Sequence, residues 1–88
     1  LYDCPNRTLG DMADSFMEYP QWETIYADDG NTYVNLTGEI MVENISTTAL
    51  VQFKVNGDKF ELQAVEYNGV PQTFFEANHL LETMCATY

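Results

Sequence analysis

The stretch Thr32-Tyr33-Val34-Asn35-Leu36-Thr37-Gly38-Glu39-Ile40-Met41-Val42-Glu43 decides the fold. Val34, Leu36, Ile40 and Val42 take alternate positions facing one way, and Tyr33, Asn35, Thr37, Glu39, Met41 and Glu43 face the other. A period of two marks a strand with one buried face. Gly38 stands on the apolar side, where the missing side chain lets a helix or an aromatic ring come close.

Toward the C-terminus, Asn44-Ile45-Ser46-Thr47 reads as a polar connection into a second strand, Thr48–Asn56. Its Ala49, Val51, Phe53 and Val55 share a face opposite Leu50, Gln52 and Lys54. Asn56-Gly57 predicts a type I′ turn, because both central positions need positive φ. A third strand then runs from Lys59 to Tyr67. Lys59, Glu61, Gln63, Val65 and Tyr67 alternate there against Phe60, Leu62 and Ala64. Asn68-Gly69 ends it and Pro71 enforces the break. Thr73-Phe74-Phe75-Glu76 has the form of a capping box. Phe74, Ala77, Leu81, Met84, Cys85 and Tyr88, widened by Leu80, then form the apolar stripe of a helix from about 74 to 86.

Toward the N-terminus, Asp28-Asp29-Gly30-Asn31 is a turn cluster, preceded by a short edge strand over Glu23 to Ala27. Trp22 is expected under the end of the sheet as part of the core, with Tyr26, Tyr33 and Tyr67 left as exposed aromatics. Leu9, Met12, Ala13, Phe16 and Met17 repeat at three and four residues, behind Thr8 as N-cap. Pro20 pushes Tyr19 out of the α region, so this helix spans about 8 to 19.

The plan is α+β: an N-terminal helix, a three- to four-stranded antiparallel meander and a C-terminal helix. Both helices lie on one sheet face, because neither has enough apolar surface to stand alone. The expected core is Leu9, Met12, Phe16, Val34, Leu36, Ile40, Val51, Phe53, Phe60, Leu62, Phe74, Leu81 and Met84. The outer face, with Tyr33, Asn35, Thr37, Glu39, Lys54, Glu61 and Gln63, is left to solvent or to a partner.

At 88 residues, positions 1–88 form a single domain. Fourteen acidic residues against three basic ones, a net charge of -11, exclude nucleic acid and disfavour anionic membranes. The 45% apolar content is too high for a disordered acidic tail. No apolar run exceeds three residues, as at Ala49-Leu50-Val51, so this segment does not insert into a membrane. The chain starts at Leu1, as a mature or trimmed fragment does. Leu1-Tyr2-Asp3-Cys4 departs from a lipoprotein cleavage box at Asp3.

Cys4 and Cys85 stand near opposite ends and are the disulfide candidates. A bridge closing so long a loop contributes about 4–5 kcal/mol, and an even count suits an exported chain. The alternative is a buried thiol at Cys85 and an exposed Cys4. Two cysteines cannot make a structural zinc site, and His79 reads as a half-exposed surface residue.

The chain carries none of G-x-S-x-G, H-E-x-x-H, a P-loop or G-x-G-x-x-G. No nucleophile has an obvious base, and no catalytic, cofactor or metal residues are expected. Asp28-Asp29-Gly30-Asn31 lacks the alternating oxygen ligands of a calcium loop. N-x-[ST] sequons at Asn6, Asn35 and Asn44 read as coincidence in an Asn/Thr-rich chain. Gln52-Phe53-Lys54-Val55-Asn56-Gly57 is close to the cystatin hairpin motif Q-x-V-x-G, with Gln52 one residue early.

Tyr19-Pro20-x-Trp22, Asp29-Gly30-x-x-Tyr33-Val34-Asn35-x-x-Gly38, Gln52-Phe53-x-Val55-x-x-Asp58-x-Phe60-Glu61 and Asn68-Gly69-x-Pro71-Gln72 together resemble a family. Its members are small extracytoplasmic domains of Gram-positive, often gut-dwelling, bacteria, in secreted, lipid-anchored or membrane-tethered proteins. The resemblance spans about residues 8 to 86 and implies a cystatin-like α+β fold. No catalytic or ligand residues come with it. The resulting expectation is a non-enzymatic binding or structural module, extracellular or at the cell surface, that meets a protein or small ligand there. A cystatin-type protease inhibitor is the alternative.

Overall fold

The computed structural model describes residues 8–57 and 59–86. In chain order they form α1 (Leu9–Phe16), β1 (Glu18–Tyr26), β2 (Thr32–Val42), β3 (Ile45–Asn56), β4 (Lys59–Tyr67), β5 (Val70–Pro71) and α2 (Phe74–Ala86). The strands make one antiparallel sheet in the order β1-β2-β3-β4-β5. The α+β plan of helix, meander and helix stands, with five strands in place of three or four.

Both helices start where their caps indicate. Thr8 Oγ1 accepts the Asp11 N–H at 3.1 Å, and Thr73 Oγ1 accepts the Glu76 N–H at 3.2 Å. Each satisfies one of the amides that a helix start leaves without a partner. The end of α1 differs from expectation. Met17 is already extended (φ -101°, ψ 146°), and its N–H closes on Ala13 O at 2.8 Å. The chain then enters β1 at Glu18, five residues before the expected edge strand. Register slips between Glu18 and Gln21, a bulge in which Tyr19 takes φ 56° just before Pro20. Pro20 therefore kinks the start of an edge strand instead of closing a helix.

The inner sheet face is built from aligned rows. Trp22, Leu36, Val51 and Val65 are successive cross-strand partners; so are Thr24, Val34, Phe53 and Leu62. Leu36, Ala49 and Val51 are fully buried, with Ile40, Phe53, Leu62 and Val65 nearly so. Met12 and Ala13 of α1 and Ala77, Leu80, Leu81 and Met84 of α2 bury in the same cluster, so one face carries both helices. A third row, Gly38 opposite Ala49, has almost no side chain. Met17 fills it: a Cβ on Gly38 would lie 2.8 Å from Met17 Sδ and 2.9 Å from its Cβ.

Three expectations are corrected by this register. Alternation through Lys59–Tyr67 put Val65 and Tyr67 on the outer side, yet Val65 is buried and Tyr67 half-buried against the core. Phe53 pairs with Leu62 while Gln52 pairs with Ala64, leaving Gln63 as a bulge that shifts the phase. The turns also move. Glu43 and Asn44 both take positive φ (50° and 66°) between the paired Val42 and Ile45, so β3 begins where a polar connection was expected. Asn56 is the last residue of β3, paired with Lys59, so the turn falls one residue later than expected, with Gly57 at φ 65°, and Asn68-Gly69 makes a further tight turn with φ 53° and 83°. That turn adds β5 beyond the expected end of the sheet.

The core list needs trimming for the same geometric reason. Phe60 and Phe74 remain 47% and 64% exposed, and Trp22 44% exposed: Phe60 stands at the hairpin end of β4, Trp22 on the edge strand, and Phe74 in the first turn of α2. Leu9, Phe16 and Val34 are half-buried. Met17, Ala13, Ala49, Val65, Ala77 and Leu80 supply the missing volume. Tyr88, placed on the stripe of α2 by its spacing, lies outside the described residues. Phe60 meets Phe53 edge to face, ring centroids 6.3 Å apart.

Phe53→Ala is expected to lower unfolding free energy by about 3–5 kcal/mol in urea denaturation, as for a fully enclosed ring. Phe60→Ala is expected to cost about 1–2 kcal/mol, since nearly half the ring already faces water. Gly38→Ala has no room beside Met17 and is expected to cost about 1–3 kcal/mol. A neutral Gly38→Ala would show that α1 is not seated on this row.

Candidate outer-face binding site

The uncovered side of the sheet is the surface that the fold organises for contact. Ile25, Tyr33, Lys54 and Glu61 form one row across four strands. Glu23, Asn35, Gln52 and Ala64 form the next, followed by Gln21, Thr37, Leu50 and Glu66. Glu18, Glu39 and Thr48 close the far end. Six of the seven expected face residues, Tyr33, Asn35, Thr37, Glu39, Lys54 and Glu61, thus come together. Gln63 does not join them, because the bulge removes it from the ladder and leaves it exposed.

Leu50, Gln52 and Ile25 belong to the face as much as the expected residues do. The alternation already placed Leu50 and Gln52 beside Lys54, which was the available signal. Ile25 had none, because the bulge that sets its phase is tertiary. All of the central residues, from Tyr33 to Glu39 and from Leu50 to Lys54 on the outer side, are half-buried by their neighbours. The surface is a close-fitted mixture of aliphatic, aromatic, amide and charged groups.

Polar groups on the face and its rims are mostly tied within the chain. The Glu39 carboxylate accepts from Thr48 Oγ1 at 2.5 Å and Ser46 Oγ at 3.4 Å, which offsets having Glu18 as its cross-strand neighbour. Asn56 Nδ2 donates to Glu61 Oε1 at 3.2 Å. In the β1–β2 loop, Asp29 Oδ1 accepts the Asn31 N–H at 2.9 Å. That backbone bond, with the Asn31 side chain, holds the Asp29 carboxyl below its ordinary 3.8. On the helix side, burial and the charge of Glu76 push the Tyr67 phenol above its ordinary 10.0. Asn35 is different: its Oδ1 is sealed from water at the middle of the face and has no hydrogen-bond partner.

A depression of about 60 Å³ lies at one corner, lined by Phe16, Glu18, Glu39, Ile40, Met41 and Ser46. It has room for a few waters. Among the described residues, no three His, Cys, Asp or Glu side chains are grouped to hold a metal ion. His79 is exposed on α2. Cys85 is half-buried against the core and no described cysteine is a free thiol, while Cys4 lies outside the described residues. No helix among the described residues is long and apolar enough to cross a membrane.

The sequon asparagines also separate by position. Asn44 is exposed in the β2–β3 turn, Asn35 sits within the outer face, and Asn6 lies outside the described residues. No protein-family model, curated protein or solved structure matches the chain.

A buried carbonyl oxygen without a donor costs about 1–3 kcal/mol. Asn35→Val, which removes the amide and suits a central strand, is therefore expected to raise unfolding free energy by about 1 kcal/mol. Chemical denaturation reads this directly. A loss of stability instead would mean that the Asn35 amide is satisfied within the chain.

Proposed function

We propose that this chain is an extracytoplasmic, non-catalytic binding module of cystatin-like fold that meets its partner through the outer sheet face. The observation carrying this reading is the outer sheet face itself, which neither helix covers and on which Tyr33, Asn35, Thr37, Leu50 and Gln52 form a fitted mixture of aromatic, amide and aliphatic groups. Polar groups surrounding a small apolar centre suit a protein surface or a peptide better than a deep-pocket ligand.

The secreted or surface-anchored setting is supported by the resemblance of residues 8–86 and by the even cysteine count, and with it goes a proposed bridge between Cys4 and Cys85. A cystatin-type inhibitor is the second reading. It is favoured by the placement of the Asp28-Asp29-Gly30 loop and the Asn56-Gly57 tip at the same end of the sheet, beside the row Tyr26, Thr32, Val55 and Phe60.

A photo-cross-linker placed at Leu50 is expected to capture extracellular protein from its native host, while the same group at His79 captures none. Equal capture at both positions rejects the outer face as the site. Inhibition of a papain-type protease by the purified chain would select the second reading. Intact-mass analysis with and without reduction is expected to give a 2 Da difference per molecule; two thiols in the non-reduced protein would remove the bridge and weaken the case for export.

A further inference from the structure

We propose that the open edge of β1 is a strand-addition site for an extended basic polypeptide segment. This site borders the outer sheet face, sharing Glu18 and Glu23 with its rim, but binds through the backbone of one strand.

The hairpin loop fixes which β1 groups point outward. Ala27 N–H bonds to Asn31 O at 3.0 Å, and Gly30 N–H to Ala27 O at 3.1 Å, with Gly30 at φ 87°. Ala27 and Asn31 are thus the closing hydrogen-bonded pair of a three-residue loop. Bonded and non-bonded pairs alternate along an antiparallel ladder. Ile25, Glu23 and Gln21 therefore direct their N–H and C=O groups to Tyr33, Asn35 and Thr37 of β2. Trp22, Thr24 and Tyr26 direct theirs away from the sheet. The β2–β3 hairpin gives the same phase from the other side, since a two-residue turn closes on the bonded pair Val42 and Ile45.

Among the described residues, nothing pairs with that edge, and Gln21, Trp22, Glu23, Thr24 and Tyr26 are all exposed. The protection given to β1 is confined to its start, where Pro20 and the bulge disrupt pairing. From Gln21 to Tyr26 the strand is regular and carries no Lys or Pro. The other edge is treated differently: the two-residue β5, ending in Pro71, pairs with Glu66 and Tyr67, and the rest of β4 is interrupted by the Gln63 bulge and opens with Lys59. One edge of the sheet is blunted and the other remains a template.

Charge decides what fits it. The outer-facing residues of β1 include Glu18 and Glu23, and Asp28 and Asp29 stand exposed at the hairpin end. The whole chain carries -11. A second copy of this chain would bring its own excess of negative charge to the edge, whereas a segment bearing Lys or Arg neutralises it. The alternation of an added strand sets the rest of its pattern. Its basic residues lie on the side of Glu23, and its β-branched or apolar residues lie beside Trp22 (44% exposed) and Tyr26 (81% exposed).

The test uses the purified chain and an acetylated, amidated peptide of sequence Thr-Lys-Val-Lys-Val-Lys-Thr, with a control in which every Lys is Glu. The Lys peptide is expected to slow amide exchange at Trp22, Thr24 and Tyr26. Exchange at Gln21, Glu23 and Ile25, already bonded to β2, is expected to change little. Thr24→Pro removes an outward N–H without touching the β1–β2 ladder, a place where sheets tolerate proline. It is expected to weaken Lys-peptide binding at least tenfold with the denaturation midpoint nearly unchanged. Should Thr24→Pro fail to fold, Glu23→Lys serves the same purpose and is expected to invert the preference between the two peptides. Equal binding of both peptides, or protection without the alternating pattern, overturns the proposal. So does a dimer of the chain alone, seen in sedimentation and dissolved by Thr24→Pro, which would give the edge to a second copy.

Discussion

The close approach of Met17 to Gly38 is the constraint on which the remaining structure hangs. An eight-residue helix such as α1 is too short to persist alone in water, so it must be held by what it touches. Its end is fixed where the sheet offers a gap, the Gly38 and Ala49 row, and Met17 occupies that gap. Thioether side chains adapt to such spaces better than branched ones. Once Met17 is seated, the chain is already extended and leaves directly into β1. The position of the edge strand, and of everything paired to it, follows from that junction.

The two bulges serve the two sides of the sheet in different ways. In β4, Leu62 and Val65 are three positions apart and still face the same core, because Gln63 drops out of register between them. Were the alternation unbroken, Val65 would stand among the outer-face side chains and Ala64 on the helix side. In β1 the slip between Glu18 and Gln21 sets Trp22, Thr24 and Tyr26 on the helix side and Ile25 outside. Both bulges thus decide which residues are available to a partner, not only how the sheet twists.

A chain this small buries a modest core, and its stability depends on few side chains. Phe53, Leu36, Met84, Val51 and Val65 are the largest that lose essentially all contact with water. The outer face contributes its own cohesion through half-buried cross-strand pairs, yet it keeps one amide oxygen unsatisfied at its centre. An interior designed for stability alone would fill that position with a β-branched residue. The exposed aromatics Tyr19, Trp22 and Tyr26 lie on the strand whose backbone is open, so the least protected parts of the surface are adjacent.

The amino-acid sequence by itself determined the central strands, the two helix starts and the α+β order. Alternation over Thr32–Val42, the stripe of Phe74–Ala86 and the hydroxyls of Thr8 and Thr73 are local signals with local causes. Most of the outer face was legible for that reason, since parity on β2 and β3 is unbroken. The tertiary structure alone decided the rest. Whether the turn after β3 centres on Asn56-Gly57 or one residue later depends on which residues pair across it. The burial of Val65 depends on a bulge that only the facing strand reveals. Phe60 and Phe74 are as hydrophobic as Phe53, but Phe60 stands at the hairpin end of β4 and Phe74 in the first turn of α2, where less of the ring is covered. Pattern records which side of an element is apolar; only packing fixes how far the cover extends and where the register slips.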